Sequence, residues 1–506
     1  MKSESCVSKY KALLLLWTFL VVLAIFTIKL NFLDSDTYFI IATGEYISEN
    51  AVVPQINPFV IHENFTIIVQ QWLFDVLIYQ VYNLFGFIGL YAYIITVFFI
   101  SVFSVYKFVG LYSKDIYART LATIIYSSFA LPFMTCRPTS LSFLLCLAVV
   151  AAMERYRLTK SKKCLFTLPL VSILMINVHA AMWPIMFVLM LPFIAPDNFP
   201  KTTSKYDVSM LFKKWIDDKI PILLSIIFMA ICGSFNPNGF DGMAYVFLSY
   251  GEATNNALIT ELQSPNIASG MGAAVIAAIL CLMWYLLRFK SKGNFALVYM
   301  TLGTIVLASL HQRNAWFLFF GMLPLTAIMI DCLSEKEREV VKPNKEKKFI
   351  EIIVVTVFLF LSLAFVAFQD EIIDGETTPV LAADYLDNQS KDDMVLFTEF
   401  NNGAFMEFRG YKVYIDARPE LFQRRINKSS NIYDEYLALR YGEIDFEEFL
   451  DKYKFTHLVV LDANILTGYL YACDEYELVV DGQGYKLYQT VATKPTSLKL
   501  LDESPN

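Results

Sequence analysis

The chain has 506 residues, of which 56% are hydrophobic and 18% charged, and its mean hydropathy is +0.48. Soluble domains carry about 25% charged residues, so this composition excludes a protein that is soluble throughout. Aromatic residues make up 15% of the chain, a level that suits lipid-facing helices and membrane interfaces. The same composition argues against disordered, collagen-like, coiled-coil and nucleic-acid-binding proteins, so we expect no nucleic-acid partner.

The charge is divided unevenly along the chain. Residues 1–370 hold 28 Lys and Arg against 23 Asp and Glu, a net charge of +5, whereas residues 371–506 hold 13 against 25, a net charge of −12. This asymmetry predicts two domains, an apolar transmembrane domain over 1–370 and an acidic soluble domain over 371–506.

Membrane-spanning helices need about 20 mostly apolar residues. About eleven segments approach this requirement, in chain order 12–33, 87–109, 117–134, 139–156, 164–179, 181–196, 219–235, 271–288, 294–310, 315–331 and 349–368. No small-residue cleavage site follows the first segment, which predicts a retained anchor. The fifth and sixth segments are short, so they form either two spans or a re-entrant, kinked region.

Lysine and arginine mark the side of the membrane on which each loop lies. The basic loops near 154–163, 197–219 and 332–348 all fall on the side of the N-terminus, which predicts a cytoplasmic N-terminus. Two long outer loops, 34–86 and 236–270, then lie on the other side together with the acidic tail.

The tail has the pattern of a small α/β domain. Residues 378–389 have helical spacing, and 419–451 read as two polar helices. Apolar runs bounded by Gly, Asp and Asn predict five strands, at 393–397, 411–416, 456–462, 476–481 and 484–489. Residues 492–506 read as a loose end.

No phosphate loop, dinucleotide fingerprint, nucleophile elbow or zinc-protease motif is present, so the chemistry is sought among polar residues of the outer face. Asp34 and Asp36 follow the first predicted span directly. Two carboxylates at this spacing can share a divalent cation or polarise a hydroxyl group. Alternatively, Asp36 caps the helix that follows it.

Three further outer turns carry charged or titratable side chains. Arg137 lies between the third and fourth predicted spans, where it binds either a phosphate or lipid headgroups. His311 and Arg313 lie between the ninth and tenth spans, and they either hold a lipid-linked phosphate or form a satisfied polar turn. His179 ends the fifth span and is either a substrate ligand or a packed structural histidine.

The first outer loop contains an ordered set of motifs: DSDTYFIIATGEYI over 34–47, PQINPF over 54–59 and QWL over 71–73. This order resembles bacterial polytopic proteins of the glycosyltransferase C (GT-C) superfamily, which includes protein mannosyltransferases and catalytic subunits of oligosaccharyltransferases. Their loop follows a D-x-D, aromatic pair, His, then G-E, then P-F, then E-W-L pattern. Here Ile40 replaces the usual His and Gln71 the usual acid.

The resemblance implies roles for several residues. An Asp of this loop is the catalytic or metal-binding carboxylate of the superfamily, which points to Asp36 and Asp34. Thr260-Glu261 in the second outer loop is similar to the segment that brings a Glu to the metal site, so Asp36 and Glu261 would hold a divalent cation such as Mg²⁺ or Mn²⁺. The alternative for Glu261 is a solvated surface side chain.

A tail segment adds to the resemblance: NNGAFM over 401–406 and YKVYIDARPE over 411–420. In the superfamily a similar segment begins the outer domain. Asp416 and Arg418 follow a predicted strand, at an edge where α/β sites form, and would contact substrate. The alternative is an ion pair that shapes the turn.

Together these features predict a GT-C-like polytopic α-helical membrane protein with a C-terminal extracytoplasmic α/β domain, in a bacterial plasma membrane. The predicted function is inverting transfer of a sugar from a polyprenyl-phosphate donor to a cell-surface glycan, lipid or protein, with membrane lipids as further partners. Two alternatives stay open, a transporter or flippase of lipid-linked glycans and a non-catalytic membrane scaffold.

Overall fold

The computed structural model describes Trp17 and residues 35–130, 133–195, 205–249, 262–289, 293–340, 378–482 and 484–491. Its internal contacts divide the chain into two compact units. The helical unit comprises the described residues of 1–32, 84–246 and 251–373, and the α/β unit those of 33–83, 247–250 and 374–506.

The helices from the first loop to the end of the helical unit are α1 (Ser35–Asn50), α2 (Trp72–Val109), α3 (Ile116–Phe129), α4 (Thr139–Thr159), α5 (Leu168–Val178), α6 (Trp183–Ile194), α7 (Lys205–Cys232), α8 (Gly239–Ser249), α9 (Gly270–Phe289), α10 (Phe295–Leu310) and α11 (Leu318–Val340). Short 3₁₀ helices occur at Lys162–Leu165, Ala180–Met182 and Gln312–Phe317. Local signals set several of these ends. Asp115, for example, accepts hydrogen bonds from the backbone N–H of Tyr117 and Ala118 and so caps α3.

Nine of the predicted spans each overlap one of these helices. Within the described residues, three helical stretches are long and apolar enough to cross a membrane, Trp72–Val109, Gly270–Phe289 and Gln312–Cys332. The predicted span 349–368 and, apart from Trp17, the span 12–33 lie outside the described residues. The total of eleven spans and their orientation therefore stay predictions.

Close contacts between aromatic rings and small residues hold the helical unit together. Phe143 of α4 stacks on Tyr126 of α3 and on Phe320 of α11, with ring centroids 5.3 and 5.7 Å apart. Gly321 lets α11 approach α10, since a Cβ atom there would lie 2.5 Å from the hydroxyl oxygen of Thr301. Such dense packing is how apolar helices associate where lipid removes the usual hydrophobic drive.

The α/β unit adds the helices α12 (Val380–Leu386), α13 (Gly403–Phe408), α14 (Arg424–Asn427), α15 (Ile432–Tyr441), α16 (Phe446–Tyr453) and α17 (Ile465–Ala472), with a 3₁₀ helix at Pro419–Phe422. Its strands are β1 (Leu396–Phe397), β2 (His457–Leu461), β3 (Tyr476–Gly482) and β4 (Tyr485–Thr490). The sheet order is β1-β2-β4-β3, with β1 and β2 parallel and the other pairs antiparallel.

Two tail predictions differ from the structure. Residues 411–416 form only single-residue bridges, from Val413 to Val60 and to Leu396, because the turn at Gly410 and the bonds of Asp416 leave few extended residues between them. The segment 419–451 forms four short helices where two were expected. Asn427 interrupts it, since its side chain bonds the backbone of Leu421, Ser429 and Ser430.

The first loop packs in the same unit as the tail. The backbone of Val413 exchanges hydrogen bonds with Phe59 and Ile61 at 2.9 and 3.0 Å. The His62 ring stacks on Phe65 and bonds the carbonyl oxygen of Tyr414 at 2.7 Å through Nε2. Burial lowers the pKa of His62 from 6.5 to about 4, so the ring is neutral near pH 7. The domain boundary predicted at residue 370 lies outside the described residues.

Candidate functional site

Asp36 lies in the first turn of α1, which begins at Ser35. A carboxylate at this end of a helix is stabilised by the helix dipole. The apolar side chains of Phe39, Ile40 and Ile41 are buried and fix the helix against its neighbours. Asp36 itself is half-buried, while Asp34 lies outside the described residues. The roles predicted for both carboxylates stay predictions.

The Gly44-Glu45 pair of the loop motif has a packing explanation. A Cβ atom on Gly44 would lie 2.1 Å from the carbonyl oxygen of Asp75 and 2.7 Å from Cβ of Tyr79. Only a residue without a side chain lets α1 cross the start of α2 at this distance. Glu45 is exposed on the same helix.

The two departures from the superfamily pattern are both buried. Ile40 has 0% exposure, so it is part of the apolar core. Gln71 donates from Nε2 to a carboxylate oxygen of the buried Asp75 at 2.9 Å. An ionised acid at position 71 has no proton to donate, so the amide of Gln71 matches its partner Asp75.

Arg418 is the centre of a buried charged cluster in the α/β unit, which we call the Arg418 cluster and define as Arg418, Asp416, Glu407 and Phe39. The guanidinium donates to Asp416 at 3.0 and 2.6 Å and to both carboxyl oxygens of Glu407 at 3.0 Å. Its carbon lies 4.4 Å from the centre of the Phe39 ring. The predicted contact of Asp416 and Arg418 with substrate stays a prediction, whereas the ion pair between them is present.

The pKa of Glu407 is raised in this cluster. Burial raises the pKa of its carboxyl well above the usual value of 4.5, the nearby Asp416 raises it further, and the Arg418 charge opposes the shift only in part.

We expect Glu407→Gln to make the stability of the protein less dependent on pH. Because the pKa of Glu407 is raised by folding, the folded protein keeps this proton over a range of pH above 4.5 in which the unfolded chain releases it. The contribution of Glu407 to the free energy of unfolding is therefore largest below pH 4.5. It decreases as pH rises from 4.5 toward the folded-state pKa. Thermal unfolding of the full-length protein in detergent between pH 4.5 and 8 should show the wild type losing stability relative to the variant.

The exposed Glu443→Gln is the control for that series, because Glu443 lies on the surface of the same unit. Its unfolding temperature should follow the wild type at every pH. If the difference between Glu407→Gln and the wild type is constant across the range, Glu407 is ionised in the folded protein.

In the helical unit, three of the predicted phosphate or substrate ligands lie near the start of α4. Arg137 is two residues before the helix begins. His179 ends α5, is buried, and its Nδ1 lies 2.8 Å from the hydroxyl oxygen of Ser142 in α4. Arg313, in the 3₁₀ helix Gln312–Phe317, is close enough to interact electrostatically with His179.

His311 is held by the end of the second outer loop. Its Nδ1 bonds the carbonyl oxygen of Leu262, and the N–H of Gln312 donates to Gln263 at 2.9 Å. The hydroxyl of Ser264 also donates to Leu310 at 3.2 Å. Glu261, the predicted metal ligand of this loop, lies outside the described residues.

A narrow apolar pocket, with room for no more than a water-sized group, lies in the same unit. Its walls include Tyr126, Met134, Phe143, Trp316 and Phe319. Met134 and Trp316 belong to the same turns as Arg137 and Arg313. This apolar packing therefore lies beside two cationic turns of the chain.

The described residues contain no group of three or more His, Cys, Asp or Glu side chains that could hold a metal ion. Asp36 is the one described member of the predicted metal set, since Asp34 and Glu261 lie outside. The described donors alone do not form a cation site.

Sequence reasoning missed Phe39, Glu407, Asp75 and Ser142. Glu407 and Asp75 had a local signal, because each is an acid between apolar residues of a helical segment. Such an acid is buried only when it has a partner. Phe39 and Ser142 had no local signal, since aromatic and hydroxyl side chains are common in apolar helices.

No protein-family model and no curated protein sequence matches the chain. Solved structures do match. The archaeal oligosaccharyltransferase AglB from Archaeoglobus fulgidus, in complex with an inhibitory peptide and a dolichol-phosphate, is 10% identical, with 96% of this chain and 75% of AglB covered and a TM-score of 0.60. An Archaeoglobus fulgidus oligosaccharyltransferase tethered to an acceptor peptide with an NVT sequon is 10% identical, with 89% of this chain and 69% of that chain covered and a TM-score of 0.58.

ArnT from Cupriavidus metallidurans, bound to undecaprenyl phosphate, is also 10% identical, and 97% of this chain and 98% of ArnT are covered with a TM-score of 0.53. AglB and ArnT are both GT-C glycosyltransferases. The resemblance predicted from the sequence is therefore confirmed at the level of the fold.

Proposed function

We propose that this chain, which has the GT-C fold, is a membrane glycosyltransferase that moves a sugar from a polyprenyl-phosphate donor to an extracytoplasmic acceptor. The observation that carries the proposal is the fold shared with AglB and ArnT over nearly the whole chain. Those two structures contain dolichol-phosphate and undecaprenyl phosphate, so a polyprenyl phosphate is the ligand class that they have in common.

Arg137 and Arg313 would bind the phosphate of the donor. Negative charge develops on this group as the bond to the sugar breaks, and fixed guanidinium groups stabilise it. His179, held by Ser142 and close to Arg313, would help to orient the phosphate. His311 would bind the same phosphate from the turn that contains Arg313.

Asp36 would act on the acceptor. Its carboxylate takes the proton of an acceptor hydroxyl or amide while the acceptor atom attacks the anomeric carbon. The bond from that carbon to the phosphate oxygen breaks, and its electron pair leaves with the phosphate. A single displacement of this kind inverts the anomeric configuration. As an alternative to this role as a base, Asp36 would hold Mg²⁺ or Mn²⁺ together with Asp34 or Glu261.

We place the protein in a bacterial plasma membrane, with its N-terminus in the cytoplasm and its α/β unit outside. The distribution of Lys and Arg between the loops supports this orientation. The acceptor is a surface glycan, a lipid or a protein. AglB in complex with peptides makes a protein acceptor compatible with the fold, and it does not favour one acceptor class over the others.

A comparison of membranes from cells with and without this chain tests the function. We expect the strain without it to accumulate one polyprenyl-phosphate sugar in the outer leaflet and to lose one sugar from a surface molecule. Mass spectrometry of lipids and glycans names both partners. Accumulation confined to the inner leaflet would instead favour a transporter, and unchanged lipids and glycans would favour a scaffold.

A further inference from the structure

We propose that Arg418 is a positioning residue, which holds the first two turns of α1 in place through the ring of Phe39 and thereby orients Asp36. This inference rests on the proposed function, because it assigns Arg418 a role in the work of Asp36. Phe39 follows Asp36 by three residues, so the two side chains lie on adjacent turns of one helix. A contact that holds the Phe39 ring therefore also restrains the helix end that contains Asp36.

The guanidinium is itself held rigidly. The buried carboxyl groups of Asp416 and Glu407 both accept hydrogen bonds from its N–H groups. Asp416 also accepts the backbone N–H of Arg418 at 2.7 Å, which closes the turn between them. A planar guanidinium fixed in this way holds an aromatic ring in place by cation–π attraction and stacking.

Tyr38, the neighbour of Phe39 in α1, makes a second contact that holds the same helix end. The Tyr38 ring packs edge-on against Phe405 of α13, with centroids 5.1 Å apart, and its contact with Phe408 is 5.5 Å. Glu407 lies between these two phenylalanines in the chain. Helix α13 therefore contributes both the rings that contact Tyr38 and the carboxyl that holds Arg418, so this short helix takes part in both contacts of the start of α1.

The burial of Arg418 favours this role over direct contact with substrate. Its side chain is 11% exposed, and Asp416 and Glu407 have fully buried side chains. A substrate group would have to displace one of these partners and leave a buried carboxyl without its donor, which is costly. Holding α1 needs no such exchange.

The test uses the full-length protein with Phe39→Leu, Arg418→Lys and the double variant. Leucine removes the ring and keeps apolar bulk, and lysine keeps the charge beside Asp416 without the planar face. A misplacement of about 1 Å at a catalytic group can cost about 100-fold in rate. We expect each single variant to lower the sugar product per cell by about 10- to 100-fold. The double variant should be no worse than the more harmful single one, because both act through one contact.

Two readouts separate positioning from a general loss of structure. Hydrogen exchange of the backbone over 35–43 should accelerate in both single variants, while exchange over 446–453 stays unchanged. Binding of undecaprenyl phosphate to the protein in nanodiscs should keep the wild-type affinity. Additive losses in the double variant, or wild-type exchange over 35–43, would overturn the inference.

Arg409→Lys is the matched control. Arg409 belongs to the same unit, pairs with Asp384 and Asp387, and lies 5.8 Å from the Phe405 ring, but it is on the surface. It should keep wild-type product and exchange. Asp36→Asn, measured in parallel, separates the two proposals. Normal product in cells without the chain defeats the proposed function, and normal product with Asp36→Asn defeats the role of Asp36. Loss with Asp36→Asn and normal product with Phe39→Leu and Arg418→Lys defeats only the inference about Arg418.

Discussion

Asp36→Asn should lower sugar transfer by about 10²- to 10⁴-fold, the usual contribution of a general base, and leave the protein folded. Asparagine has the shape of aspartate but cannot take a proton. The lost interaction with the helix dipole costs only about 0.3–1 kcal/mol. Cells that express this variant should therefore reproduce the lipid and glycan changes of cells without the chain, at normal protein levels.

Glu49→Gln is the control, because Glu49 is exposed in the last turn of the same helix and the substitution removes the same charge. It should transfer sugar normally. Chelation with EDTA followed by addition of Mn²⁺ distinguishes the two roles of Asp36. Loss and recovery of transfer would indicate a metal ligand, and transfer that survives EDTA would indicate a base. Wild-type transfer by Asp36→Asn would remove this carboxylate from the mechanism.

Gly403→Ala should destabilise the α/β unit by about 1–3 kcal/mol or more, the cost of overpacking a dense core. A Cβ atom at this position would lie 1.9 Å from the carbonyl oxygen of Ile415 and 2.9 Å from Cα of Asp416. Both neighbours are backbone atoms, so the chain before Arg418 must move. Thermal unfolding of the full-length protein should show the loss, and transfer should fall with it because α13 also contains Glu407.

The matched control is Gly468→Ala. Gly468 lies within α17, and a Cβ atom there would meet nothing within 4 Å. Alanine in a helix should leave stability unchanged or raise it by about 0.5–1 kcal/mol. Equal unfolding temperatures for the two alanine variants would show that the chain around Ile415 yields without cost.

Features that depend on short stretches of sequence were predictable. The helical segments of the membrane domain follow from the lengths of their apolar runs, and nine of them overlap observed helices. Strands β2, β3 and β4 follow from β-branched and aromatic residues between Gly, Asp and Asn. The motif order in the first loop was enough to indicate the GT-C fold, which the structural comparison confirms.

The packing of the first loop with the tail was not predictable in the same way. His62 and Tyr414 are 352 residues apart in sequence, and the bridge from Val60 to Val413 spans a similar distance. Backbone hydrogen bonds of this kind carry no residue signature, since every amino acid except proline offers the same donor and acceptor. The loop motif and the tail motif therefore looked like separate sites.

The Arg418 cluster contains both contacts that the sequence predicted and contacts that only the tertiary structure revealed. The sequence by itself indicated that Asp416 and Arg418 are neighbours able to pair, and that Asp36 lies near the start of a helix at a predicted membrane boundary. Only the tertiary structure decided that Glu407 joins the pair and that the guanidinium lies on Phe39. Spacing along a chain limits which side chains can meet within one element, whereas contacts between elements depend on how the whole chain packs.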